Sequence, residues 1–218
     1  MGVAIAVVVA SVVGITLAIV FAERARLLRW MRKQPRRAIG DAVDGEVVRL
    51  VGRVALTGAP LVAPLTGRPC AAWQVVVEEY RSNGKSGSWR KVGHAHDGTE
   101  FVLDDGTGRA VIEPRAARVE MVFDQTTKSG TFDDPTAIEE ALLARLGLRG
   151  RGWLFNKSLR YQEGALEPGE TIAVVGCVHR EPDPHGGGGG YRTAPMRTRI
   201  GGAGERGLVI TDELSVTR

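Results

Sequence analysis

Few side chains in this sequence stand where they could do chemistry. His94 and His96, in "GHAHD" with Asp97, alternate along a strand pattern, so both imidazoles share one face and could hold a metal ion together. Such a site needs a further ligand, and His179 and His185 lie far along the chain. The pair therefore reads as exposed strand-end histidines, and no metal or other cofactor is expected. Cys70 follows "TGRP" and precedes "AAW", without an activating neighbour; it and Cys177 read as free thiols within strands, able to pair only if the domain faced an oxidising compartment. Asp104 and Asp105 sit in "DDGTG", where aspartate serves a turn by accepting backbone hydrogen bonds. There is no Gly-x-Ser-x-Gly and no P-loop, and two Cys and four His cannot supply the eight ligands of a RING.

The carboxylate that stands out is Glu163, in "YQEGALEPGETIAVVGCV", set among residues that otherwise read as half-buried strand. A general acid needs a partner and a pocket, and neither is visible. The structural reading is that Glu163 accepts hydrogen bonds from a neighbouring strand or loop, or pairs with an arginine such as Arg68.

The elements that position these residues are mostly short strands. Gly45–Leu56 reads as a strand with an internal glycine marking a bulge or bend, and Cys70–Tyr80 as a long strand returning through "SWRKVGHAH". Glu100–Leu103 and Arg109–Glu113 flank the "DDGTG" turn. "RVEMVFD" is a further strand, and the stretch around Pro168-Gly169 is a third hairpin. "YRTAPMRTRI" and "GLVITD" close the series. One helix interrupts it in "DDPTAIEEALLARLGL", capped by Asp134, with Ile138, Ala141, Leu142 and Leu146 as its apolar stripe. The loop 182–190 is glycine-rich. Eight or nine strands with hairpin connections predict a mainly β fold, an antiparallel barrel or sandwich over 45–218 with one or two short helices.

Ahead of this lies a different kind of segment. Gly2–Ala22 is 21 residues without a charge; at about 1.5 Å per residue it spans roughly 31 Å, enough for a hydrocarbon core. Only Met1 precedes it, so it reads as a retained transmembrane helix rather than a cleaved signal. Arg24, Arg26, Arg29, Arg32, Lys33, Arg36 and Arg37 follow against Glu23 alone. Basic residues beside a span stay on the cytoplasmic side, which predicts a single-pass cell-membrane protein with its N-terminus outside and its domain in the cytoplasm. The same residues could touch anionic lipid head groups, with Trp30 at the interface. Residues 1–37 are then anchor and basic helix, ending near Gln34 because Pro35 follows, and 38–44 are a linker. The basic run carries +6, so the chain's +4 leaves −2 for residues 38–218. A nucleic-acid partner, including one for an OB-like domain, is disfavoured by that balance.

Three stretches taken together resemble a known family. "APLTGRPCAAWQVVVEE", "FVLDDGTGRAVIEP" and "YQEGALEPGETIAVVGCV" are similar, in order, to the blocks of the GIDE, or beside-a-membrane, domain of membrane-anchored E3 ubiquitin ligases and their bacterial relatives. The resemblance covers roughly 45–180. It implies that Cys70, Asp104, Gly108, Glu163, Leu166, Gly169 and Gly176 are signature positions of structural rather than catalytic meaning. It also implies a membrane span followed by a β-rich domain. In the ligases a second span and a RING follow; this sequence holds neither, which fits a bacterial-type member. The expected function is a non-enzymatic module that binds a protein partner or membrane components. The alternatives are a ligase-like component working with a separate catalytic subunit and a metal-dependent hydrolase built on His94 and His96.

Overall fold

The alternation of "VVRLVGRVAL" is kept in full: β1 (Val47–Leu56) buries Val48, Leu50 and Val54 and turns Arg49 and Arg53 to the other side. The computed structural model describes residues 22–82, 86–129, 136–148, 158–183 and 195–218. Within them β1 is the seam of a closed ring. It pairs along one edge with β11 (Thr171–Pro182) and along the other with β6 (Phe101–Asp104). β6 turns into β7 (Arg109–Ile112), β7 lies parallel to β12 (Met196–Gly201), and β12 pairs back onto β11. The order β1-β6-β7-β12-β11 thus returns to β1, the order of an OB-type Greek-key barrel. Phe101, Leu103, Ile112, Ile172 and Val174 fill it with the inward residues of β1. β11 also carries β13 (Leu208–Thr211) on an edge, with β8 (Ala117–Glu120) parallel to it.

A second sheet leaves the barrel through two of its connections. β4 (Ala72–Ser82), β5 (Gly87–Gly98), β9 (Gln125–Ser129) and β10 (Leu159–Leu166) are ordered β5-β4-β10-β9, all antiparallel. The ribbon β2 (Leu61–Val62) and β3 (Pro69–Cys70) lies ahead of it. One face buries Trp73, Val75, Val77, Leu159 and Tyr161 against Leu142 and Leu143 of the helix α2 (Ala137–Arg145).

The structure departs from the sequence reading in identifiable ways. Among the described residues there are thirteen strands, and two of the strand pairings are parallel. Hairpin spacing reveals only strands adjacent in sequence, and β7 meets β12 across the whole second sheet. β9 has no strand signal in its sequence, since "QTTKS" lacks apolar alternation; it is an edge strand whose one buried residue is Ser129. "RVEMVFD" is strand only in its first part. β1 keeps register through Gly52, with no bulge, and changes partner just after it. In α2, Ile138 faces solvent while Leu142, Leu143 and Glu139 are buried. Thr136 caps that helix with Glu139 in a capping box; the expected cap, Asp134, lies outside the described residues, as does most of the glycine loop.

The expected span, up to residue 21, also lies outside the described residues, and among those described no helix is long and apolar enough to cross a membrane. The helix α1 covers 22–33 and stops ahead of Pro35. Leu27 and Met31, one turn apart, are buried with Ala173, Val175, Val209 and Val216, the last from the short helix α3 (Leu214–Thr217). Burying two such side chains contributes about 1.5–3 kcal/mol each. α1 is therefore part of the folded unit. So is the stretch 38–44, where Ile39 and Ala42 join the barrel core.

Candidate functional site

Glu163 lies in β10, fully buried, on the face shared with Tyr161 and Ala165. The turn that leads into β3 folds over it: Leu65 N–H donates to Glu163 Oε2 at 2.7 Å and Thr66 Oγ1 to Oε1 at 2.5 Å. Arg68 closes the arrangement. Its Nη2 is 3.7 Å from Glu163 Oε1, its Nε donates to Thr66 Oγ1 at 2.9 Å, and Nη1 reaches Glu167 at 2.6 Å. Asp124 takes both terminal nitrogens, at 2.5 and 2.9 Å. This fork geometry suits guanidinium and not ammonium. The arginine's hydrogen bond holds Asp124 below the usual carboxylate range. Every oxygen of Glu163 is thus engaged in holding a turn, and none faces open space.

Acids outnumber bases around this node. Glu170, beyond the Pro168-Gly169 turn, accepts the Glu167 N–H at 2.9 Å; burial pushes its carboxyl up to about 7, with Asp212, Glu167 and Asp124 adding to the rise. Asp212 accepts the Val122 N–H at 2.8 Å and is likewise raised by burial. Beside it Glu213 pairs with Arg24 of α1 at 3.2 Å. Sequence reasoning missed Asp124, Glu167, Glu170 and Asp212. The one readable signal was Glu167-Pro-Gly-Glu170, whose last residue stands three positions on, in reach of the first residue's N–H.

The β6–β7 turn does a second anchoring job. Asp105 Oδ2 accepts the Ile39 N–H at 2.8 Å, and its Oδ1 accepts those of Thr107 and Gly108 at 2.9 and 3.1 Å. Burial would raise this carboxyl, but the donors outweigh it and the group is lowered. Thr107 Oγ1 in turn accepts the Gly40 N–H at 3.1 Å. A side chain at Gly108 would press on Ile39 and on the Gly40 nitrogen, 3.1 Å from each. Asp104 Oδ1 accepts the Gly106 N–H at 2.9 Å, and its Oδ2 lies 3.5 Å from Arg109 Nε.

The remaining positions that the resemblance singles out lie in the frame of the fold. Leu166 is buried in the barrel core and its carbonyl accepts the Ala71 N–H. Gly169 occupies the hairpin turn with φ +84°. A Cβ at Gly176 would stand 2.4 Å from the Gly201 carbonyl oxygen, so β11 and β12 meet only if this residue is glycine. Cys70 is buried, its thiol pushed up to about 11 by burial and by the Glu163 carboxylate, far from a nucleophile's range. Cys70 and Cys177 are both free. His94 and His96 are exposed on one face of β5 with stacked rings 5.2 Å apart. Among the described residues no group of three or more ligating side chains could hold a metal ion.

The basic run divides. Arg24 pairs with Glu213 and Arg37 with Glu46 at 2.9 Å. Arg26, Arg29, Arg32, Lys33 and Arg36 are exposed. Trp30, expected at the interface, is partly buried against the Leu27–Met31 cluster, with the Arg206 guanidinium 5.1 Å over its ring.

Fold and residues together define a β-barrel domain with an attached sheet, its loops pinned by buried and half-buried carboxylates and its flank covered by a basic helix. The chain belongs to the GIDE family, described as E3 ubiquitin ligase, whose model matches residues 74–185. The match contains Asp104, Gly108, Glu163, Leu166, Gly169 and Gly176 and begins past Arg68 and Cys70. No curated protein matches the chain, and no solved structure does.

Proposed function

We propose that this chain is a membrane-held interaction module, a GIDE domain kept beside the bilayer in the cytoplasm to bind a protein partner or lipid head groups, without chemistry of its own. One observation carries the reading: Leu27 and Met31 fix the barrel directly to the helix that follows the apolar run 2–22, while that helix turns its unpaired basic residues outward. A domain attached this way has little freedom to leave the membrane plane, and the basic side suits the cytoplasmic leaflet. The carboxylates that could have suggested catalysis hold loops. Gly58→Cys tests the topology, since Gly58 is exposed and an added Cβ meets nothing there. In intact cells the new thiol should resist a membrane-impermeant maleimide and react after lysis; ready labelling of intact cells overturns the orientation.

The family's description as E3 ubiquitin ligase favours a second reading, a ligase component that works with a separate catalytic subunit. Crosslinking in membranes followed by identification of the captured protein separates the two: a ubiquitin-type transfer enzyme among the products supports the second.

A further inference from the structure

Residues 35–37 run alongside β1 as a short parallel bridge. Arg49 N–H donates to the Pro35 carbonyl at 2.9 Å, Arg37 N–H donates to the Arg49 carbonyl at 3.2 Å, and Arg36 stands directly opposite Arg49. Bridge partners have Cα atoms about 5 Å apart and project side chains to the same side. Two guanidinium groups therefore rise together from neighbouring positions, the least favourable pairing for like charges. Arg37, on the opposite side, has Glu46; among the described residues neither Arg36 nor Arg49 has a carboxylate. Among the described residues the Arg49 side chain makes a single hydrogen bond, from Nη1 to the Val216 carbonyl at 3.2 Å, and its Nε is buried with no partner. An orphaned buried donor beside an uncompensated cation costs free energy and is unusual in a native structure. A multivalent oxyanion would correct both faults at once, by neutralising the pair and accepting several N–H groups in the fork geometry of arginine.

We propose that Arg36 and Arg49 form a binding site for a phosphate-type oxyanion, a phospholipid head group or a free phosphate, at the junction of α1 with the barrel. Arg32 and Lys33, exposed just ahead of Arg36 in the last turn of α1, add positive charge to this end of the helix. Engaging the anion requires the Arg49 side chain to swing outward, which gives up only its long bond to Val216. The lipid form of the proposal rests on the membrane reading above; the site itself does not.

The test uses the full chain in detergent micelles, with melting temperature followed as inorganic phosphate is titrated against chloride at matched ionic strength. Wild type should show a saturable rise, and Arg36→Ala, at an exposed position, should weaken the apparent affinity about tenfold or more, as loss of a charged hydrogen-bonding partner does. Arg49→Lys keeps the charge, removes the fork and should also lose the response. Nanodiscs of phosphatidylcholine with and without phosphatidylglycerol then identify the source. Stabilisation of wild type but not of Arg36→Ala by the anionic lipid assigns the site to head groups, and a response to inorganic phosphate alone assigns it to a free ligand. No saturable response to either probe, or equal responses from wild type and Arg36→Ala, overturns the site. A chain that fails to float with membranes but keeps its phosphate response sinks the membrane reading and leaves the site standing.

Discussion

Glu163 and Arg68 hold one hydroxyl between them: Thr66 Oγ1 donates to the carboxylate at 2.5 Å and accepts the Arg68 Nε–H at 2.9 Å. The turn before β3 and the middle of β10 are therefore joined through the buried Glu163 carboxylate and the half-buried Thr66 and Arg68, with Asp124 and Glu167 completing the arginine's partners at the surface. Removing Glu163 takes the acceptor from the Leu65 N–H and the Thr66 hydroxyl, while the half-buried Arg68 keeps Asp124 and Glu167, so the cost is about 1–3 kcal/mol. Glu163→Ala should lower the melting temperature of the full chain markedly. Glu163→Gln keeps the shape and one acceptor and should cost less. A Glu163→Ala chain melting at or above wild type would mean that the carboxylate is held at a cost to stability, as functional residues often are.

Glu170 makes a pH-dependent prediction. Its carboxyl titrates near 4.5 in an unperturbed setting and, through burial, near 7 in the folded chain. A raised carboxyl binds its proton more tightly when folded, so its contribution to stability is full below the unfolded value and is lost as pH rises through 7. Between pH 5 and 8 wild type should lose on the order of 2 kcal/mol from this group, allowing for partial exposure. Asp212, raised in the same direction by burial, adds to the slope. Glu170→Gln should flatten the melting temperature against pH and gain on wild type at pH 8. Parallel profiles for the two proteins would show that Glu170 is not the group responsible.

The sequence was most legible where periodicity and a local partner coincide. Alternation fixed β1, β4, β6 and β11 to within a few residues, and the polar Glu163 in an apolar strand announced a buried partner, for which Arg68 was a sound candidate. What stayed hidden depends on long-range closure. Nothing local to "RAVI" says that β7 lies parallel to β12, and nothing local to "LVIT" says that β13 lies beside β8. Val47, Arg49 and Val51 make the outward side of β1 half apolar, a sign that something covers it, yet the covering element, α1, reads by composition as a topology signal. Asp124 lacked even that much: its partner Arg68 is 56 residues away.

Because α1 packs on the barrel, its inward residues should behave as core. Met31 is fully buried against β11, β13 and α3. Met31→Ala should cost about 2–5 kcal/mol, as large-to-small core changes do. It should also open α1 to trypsin at Arg26, Arg29 and Arg32, which are exposed but held in helix. Thermal melting and timed proteolysis of the full chain read both effects. A helix that merely connects anchor and domain would show neither, and its cleavage rate would match wild type.

The last prediction concerns the β6–β7 turn as a clamp on the segment after α1. Asp105 binds Ile39 N–H with one oxygen and organises its own turn with the other, so one residue links turn shape to the path of residues 38–44. Asp105→Ala removes the acceptor for all three N–H groups and should cost about 1–3 kcal/mol, with faster amide exchange at Ile39, Thr107 and Gly108. Asp105→Asn keeps one strong acceptor but adds an unwanted donor and should fall between. Thr107→Val deletes the hydroxyl that receives Gly40 N–H and donates to Asp105 Oδ1 at 2.7 Å, so exchange should rise at Gly40 while Ile39, bound by the other oxygen, stays protected. The pH dependence follows from sign: the donors hold the folded carboxyl below its unfolded value, so its stabilisation is present above the ordinary carboxylate range and lost as pH falls through the lowered folded value. Ile39 exchange unchanged in Asp105→Ala would show that the segment is held by burial of Ile39 in the barrel core alone, and that the turn fixes only itself.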